Sequence, residues 1–130
     1  MKNYPLSYLL LRLGIGTSML GHGLARFPKL STFSQGIVEQ FAQTWLPEVL
    51  VLAFSYILPF AEFSMGLLLL LGLFTHPAAV AGGVVMILLI FGSCLIEQWG
   101  PLPSQMIHLL FFIGLLLFIE YNRYSLDHYK

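Results

Sequence analysis

Charge is what this sequence has least of. Lysine, arginine, aspartate and glutamate make up 9% of its 130 residues, six basic against six acidic. A water-soluble domain carries about 25% to keep its surface hydrated. The few charges fall mostly at the ends of apolar runs, which fits a chain solvated by lipid rather than water. With zero formal net charge and no basic tract, nucleic acid is not an expected partner. Cysteine is nearly missing as well. Cys94 stands alone, which excludes an intrachain disulfide and any CxxC redox motif, and leaves the compartment open. The first apolar run is too long for a removed signal peptide and lacks a small-residue cleavage site, so it reads as a true span.

What is present is apolar. Hydrophobic residues account for 58% of the chain and the mean hydropathy is +0.83. Four runs stand out, at residues 5–27, 49–74, 78–99 and 104–121. A bilayer core of about 30 Å takes roughly 20 helical residues. In lipid every backbone amide must be satisfied within the segment or in a closed barrel. The runs are continuous rather than alternating, which selects helices. Residues 1–130 therefore read as a single all-α membrane domain, a bundle of four transmembrane helices. "THP" and "GPLP" join the second, third and fourth runs so tightly that these neighbours must be antiparallel. Between the first two runs, Ile37, Val38, Phe41 and Leu46 interleave with Gln35, Glu39, Gln40 and Gln43, the pattern of a short interfacial helix. Lys2, Arg123 and Lys130 on one side against Arg26 and Lys29 on the other favour both termini in the cytoplasm. Trp45 and Trp99 then share the outer interface.

Ionisable groups at membrane depth are costly and should point inward to partners. Arg12, His22, Glu62, Glu97 and His108 are the candidates. Counting from the ends of their runs, Arg12 and Glu62 differ in depth by roughly 9 Å, a gap that an arginine can largely bridge, so an Arg12–Glu62 pair is one expectation and an Arg12 that snorkels to the cytoplasmic interface, leaving Glu62 alone, is the other. The pair reads either as packing the first two spans or as tuning a protonatable Glu62. His22, Glu97 and His108 fall in one layer near the outer surface. A shared site there could hold a quinone, hydrogen-bonded by imidazole and carboxylate and flanked by Phe27, Phe111, Phe112 and Trp99. It could hold a haem b on His22 and His108, or a metal on those histidines and Glu97; the sequence adds no signal for either. Gly14, Gly16, Gly21 and Gly23 open two adjacent stripes for close helix approach, which places His22 inside the bundle.

Taken in order, "LRLGIGTSMLGHGLARF", "PFAEFSMGLLLLLGLFTHPAAVAGG" and "NRYSLDHY" resemble the DoxX family of small bacterial four-helix membrane proteins. The resemblance runs nearly end to end. It implies a four-helix bundle in the bacterial cytoplasmic (inner) membrane and an association with redox chemistry. Relatives include a subunit of a thiosulfate:quinone oxidoreductase and a membrane component of an assembly that handles oxidative stress. Arg12, His22, Arg26 and Glu62 fall on the family's polar positions, and Arg123, Ser125 and Asp127 on its terminal motif. Tyr121 and Asn122 stand where glycines are common. No cysteine pair is present, so the thiol chemistry of distantly similar four-helix oxidoreductases is unavailable to this chain. Within the terminal motif itself, Arg123 is placed to meet Glu120 or Asp127 and cap the last span.

Two functions follow as expectations. The first is a quinone-linked oxidoreductase component, with Glu62 and His22 handling protons, Arg12 holding the charge of Glu62, and an electron partner supplied by another chain. The second is a non-catalytic anchor for soluble redox partner proteins, working through its first loop and termini. A proton-coupled transporter is a third class, and four helices leave it little room without a homo-oligomer.

Overall fold

The computed structural model describes residues 3–129; Lys2 and Lys130, which carry part of the orientation argument, lie outside them. The helices are α1 (Tyr4–Arg26), α2 (Leu30–Gln40), α3 (Glu48–Leu71), α4 (Thr75–Leu95) and α5 (Leu102–Leu117). Single 3₁₀ turns follow α1 (Phe27–Lys29) and α5 (Ile119–Tyr121), and another closes the chain (Leu126–Tyr129). No strand occurs among the described residues. The four apolar runs are all helical, and the amphipathic stretch between the first two is helical as well. α3 and α4 are long and apolar enough to cross a bilayer, with mean hydropathies of 1.7 and 2.4. α5, at 16 residues, falls short of the roughly 20 that a perpendicular span takes.

The boundaries differ from the sequence expectation at one instructive place. "THP" is not a connection but the first turn of α4, where Pro77 loses no hydrogen bond because N-terminal amides have no intrahelical acceptor. The turn between α3 and α4 lies just before it, from Gly72 to Phe74. Gly72 sits at φ +68° and Phe74 at φ +51°. Glycine carries the left-handed conformation that ends a helix without steric cost.

α1 and α3 pack backbone to backbone. A Cβ on Gly16 would lie 3.2 Å from the Gly66 carbonyl oxygen, and one on Gly23 would lie 2.6 Å from that of Pro59. A Cβ on Gly66 would collide with the backbone of Leu20. Of the two glycine stripes read from the sequence, this one, Gly16 with Gly23, makes the contact. Gly14 and Gly21 meet nothing within 4 Å. On the other pair of helices, the Phe112 ring of α5 fills the notch over Gly82 of α4.

The dense core lies toward one end of the molecule. Tyr8, Ile15, Leu69, Ala78, Ala79, Phe112 and Leu115 are buried together there, from the first half of α1 and α4 and the second half of α3 and α5. The chain terminus closes this end. Asp127 accepts hydrogen bonds from the amides of Phe74 (2.7 Å) and Thr75 (2.9 Å), so it caps α4 from 52 residues away. Its own amide donates to the Gly72 carbonyl at 2.9 Å. Asp127 is thus engaged by the α3–α4 turn, and the Arg123 side chain is exposed.

Candidate functional site

The glycine contacts fix the register of α1 against α3, and the register decides which charges meet. Gly16 faces Gly66 and Leu70, and Gly23 faces Pro59 and Phe63. Arg12 is thus level with the end of α3, where its Nε donates to the Leu69 carbonyl at 2.7 Å. Seven residues of helix, about 10 Å at 1.5 Å per residue, separate that level from Glu62. The expected Arg12–Glu62 pair is not formed. Arg12 instead donates to Asn122 Oδ1 (2.8 Å) and to the Tyr124 carbonyl (2.9 Å), and Asn122 passes a bond to Thr75 Oγ1 (3.1 Å). All of these contacts are with α3, α4 and the terminal segment. Arg12, 2% exposed, fastens the terminus to the bundle.

Glu62 is held by Arg26, whose Nη1 donates to Glu62 Oε1. Arg26 lies in the last turn of α1 and reaches back along the helix to the carboxylate. Its guanidinium stands 4.5 Å above the Phe33 ring of α2, a cation–π contact that fixes its orientation. Arg26 is 25% exposed at the side chain and Glu62 only 3%, so the carboxylate depends on this one cation. Its place at the end of the first apolar run puts Arg26 at the membrane surface on sequence alone. Its i, i+4 relation to His22, which puts both on one face of α1, was the available signal that it turns inward.

The pair opens onto a cavity of about 740 Å³, in the half of the bundle away from the dense core. Its walls come from every helix: Met19, His22 and Arg26 of α1, Phe33 and Ile37 of α2, Leu58 and Glu62 of α3, Met86 and Ser93 of α4, Gln105 and His108 of α5. The lining is mainly apolar, with polar groups at a few points, which is the usual make-up of a small-molecule site. α2 closes the cavity over α3 and α4. The Phe41 ring, just beyond the end of α2, rests where a Cβ on Gly92 would come within 3.1 Å, and Trp45 packs edge-on against Phe91.

His22, expected inside the bundle, is exposed while it lines the cavity; it and His108 nevertheless come together, with ring centroids 5.9 Å apart and planes at 90°. His22 Nδ1 lies 2.7 Å from the Ser18 carbonyl oxygen, and His108 Nδ1 lies 2.7 Å from that of Ser104. Ser18 Oγ is 2.8 Å from His108 Nε2. Ser18, which the sequence reading passed over, therefore touches both imidazoles. The Nε2 of His108, the atom that a haem iron would take, is engaged by the Ser18 hydroxyl in this arrangement. Glu97 is exposed, sits at φ +54° just past the end of α4, and does not line the cavity. The expected layer of His22, Glu97 and His108 thus loses its carboxylate, and Glu62 takes that place. Among the described residues no three His, Cys, Asp or Glu side chains are arranged to hold a metal. Ser93 and Gln105, hydrogen-bonded to each other at 3.1 Å, add a further polar point on the α4–α5 wall. Of the aromatics expected around a ring ligand, Phe27 packs on Phe60 and Phe63 instead and Phe112 is in the core.

No curated protein and no solved structure matches this chain. The model of the DoxX family does, over residues 7–93, a stretch that carries Arg12, His22, Arg26 and Glu62 and stops short of His108 and the terminal fastening. With more than half its length matched and helices apolar enough to enter lipid, the chain is a membrane protein that belongs to the DoxX family.

Proposed function

We propose that this protein is a four-span membrane component of a quinone-linked oxidoreductase, and that the cavity beside Glu62 takes the ring of a quinone or quinol. α1, α3, α4 and α5 are the spans in this reading, with α2 at the outer interface and both termini in the cytoplasm of a bacterial inner membrane. The observation that carries it is the convergence of a buried Glu62, paired with a partly exposed Arg26, and two histidines on one mainly apolar cavity. Four ionisable side chains at membrane depth would be expensive as packing alone. A lipid-soluble ring with two oxygens matches both the apolar walls and the polar points. His22 and Glu62 are the groups that exchange protons with it, and Arg26 holds the carboxylate charge. Electrons pass to a soluble redox partner protein, because this chain holds no motif for a second redox group.

The same observation favours this reading over a passive anchor. An anchor would display α2 and the following loop to a partner, whereas Phe33, Ile37 and Phe41 are turned into the cavity wall. Protein purified in mild detergent should release a quinone on solvent extraction, identified by its ultraviolet spectrum. Glu62→Gln should release little. Equal yields from the two proteins, or none from either, would count against the proposal. Co-purification of a partner that persists in Glu62→Gln and fails when residues 30–47 are replaced would favour the anchor.

A further inference from the structure

We infer that the cavity selects the reduced, hydroxyl-bearing form of its ring ligand, a hydroquinone, over the oxidised quinone; this rests on the function proposed above. The argument starts from two backbone carbonyls. A carbonyl oxygen only accepts hydrogen bonds, so a ring nitrogen 2.7 Å from one carries a proton. Both histidines meet this condition through Nδ1, His22 at the Ser18 carbonyl and His108 at the Ser104 carbonyl. Each carbonyl belongs to the residue one turn earlier on the same helix, so the restraint survives any small movement of the helices. In the neutral rings Nε2 is then a bare acceptor. The Nε2 of His108 is occupied by the Ser18 hydroxyl, which donates to it across 2.8 Å. The Nε2 of His22 has no hydrogen-bond partner among the described residues, and His22 lines the cavity.

Glu62 adds to this. Oε1 takes the Arg26 bond, and Oε2 has no partner among the described residues. The unfilled positions of His22 and Glu62 are both acceptors. Arg26, one turn from His22 and on the same face of α1, keeps guanidinium donors beyond the one given to Glu62. A hydroxyl satisfies such a site fully, since its oxygen accepts from Arg26 while its proton goes to His22. A carbonyl accepts from Arg26 but sets its lone pairs against Nε2. Sites built to bond a hydroxyl discriminate strongly against a ligand that lacks the donor, because the protein group is left unpaired. Ser18 is the positioning residue: its carbonyl sets the tautomer of His22, and its hydroxyl keeps His108 from competing as a second free acceptor.

Two measurements test this. Histidine-selective 15N NMR of the wild-type protein in lipid nanodiscs reads the tautomers with no ligand present. The signals are assigned by their loss in His22→Gln and His108→Gln, and both rings should report the Nδ1–H form. An Nε2–H form at His22 would overturn the inference and leave the proposed function standing. The second measurement is anaerobic titration with a decyl-substituted hydroquinone and with its quinone. The hydroquinone should bind at least about tenfold more tightly, and in His22→Gln, whose amide can present either a donor or an acceptor, the preference should fall to roughly threefold or less. Equal binding to wild type, or tighter binding of the quinone, would overturn the inference while the site survives. Binding of neither form would overturn both.

Discussion

Replacing Arg12 and its neighbours in pairs distinguishes the contacts of this arginine from the partner its sequence position suggests. Arg12→Met keeps the aliphatic stem and removes three donors, to the Leu69 carbonyl, Asn122 Oδ1 and the Tyr124 carbonyl. Hydrogen bonds from a charged group contribute about 1.5–3 kcal/mol each, and the Leu69 carbonyl would be left unpaired. Allowing for relaxation of the terminal segment, we expect a loss of about 3–5 kcal/mol. Asn122→Ala removes the acceptor for Arg12 and the bond to Thr75. Because the two variants share one bond, their effects should be less than additive by about 1–2 kcal/mol. Arg12 and Glu62 share no partner and are two helical turns apart in register, so Arg12→Met and Glu62→Gln should add to within about 0.5 kcal/mol. Reversible unfolding by SDS in mixed micelles, followed by the fluorescence of Trp45 and Trp99, measures all the terms of both cycles. A coupling above about 1 kcal/mol between Arg12 and Glu62, with none between Arg12 and Asn122, would refute the register argument.

The same assay reaches other parts of the structure. Asp127→Ala uncaps α4 and should cost about 1–2 kcal/mol, with faster amide exchange at Phe74 and Thr75; protection unchanged at those amides would show that the cap is not formed. Gly66→Leu should separate α1 from α3 and abolish folding, whereas Gly14→Ala and Gly21→Ala, which meet open space, should be neutral or stabilise by up to about 1 kcal/mol. The reverse ranking would mean that the other stripe faces α3. Arg26→Met alone strands a carboxylate that is 3% exposed and should cost about 3–5 kcal/mol, while the double variant Arg26→Met with Glu62→Leu should recover much of that loss. A double variant no more stable than the single one would indicate that Glu62 does not depend on Arg26.

The helices themselves were legible because lipid-solvated segments need only length and apolar continuity, and α2 was announced by the alternation of Ile37, Val38, Phe41 and Leu46 with polar residues, although the helix begins earlier, at Leu30, and ends at Gln40. Register was not legible from length. Counting inward from the ends of apolar runs put Arg12 near Glu62, yet the ends of a run are set by hydropathy and the register by steric fit. The information was in the glycines: aligning Gly16 and Gly23 with Gly66 and Pro59 would have moved Arg12 to Leu69. Long-range caps were also hidden. Asp127 serves amides 52 and 53 residues earlier, and no local pattern around Thr75 announces a cap supplied from so far along the chain. Asn122, noted only as a departure from a glycine, is the side chain that joins Arg12 to α4. Ser18 carries no signal in a run rich in small residues, because its importance lies in which rings reach it.

The polar groups of this protein divide by location, and the division bears on function. At the end closed by the terminus, the donors of Arg12, the amide of Asn122 and both carboxylate oxygens of Asp127 have protein partners within hydrogen-bonding distance. Satisfied groups of that kind specify a structure and ask for nothing further. At the other end the accounting does not close. The core thins to a cavity, the Nε2 of His22 and the Oε2 of Glu62 are left over, and Arg26 spends one donor of its five. In water such remainders would be solvated without consequence. In a cavity walled by leucine, methionine and phenylalanine they are unmet demand, and a bilayer offers few molecules able to meet it. A molecule that does so must be apolar enough to arrive through lipid and must carry a hydroxyl where His22 and Arg26 converge. If extraction returns a lipid-soluble ligand that carries a hydroxyl in neither of its redox forms, the leftover acceptors lose their explanation, although the cavity remains a binding site.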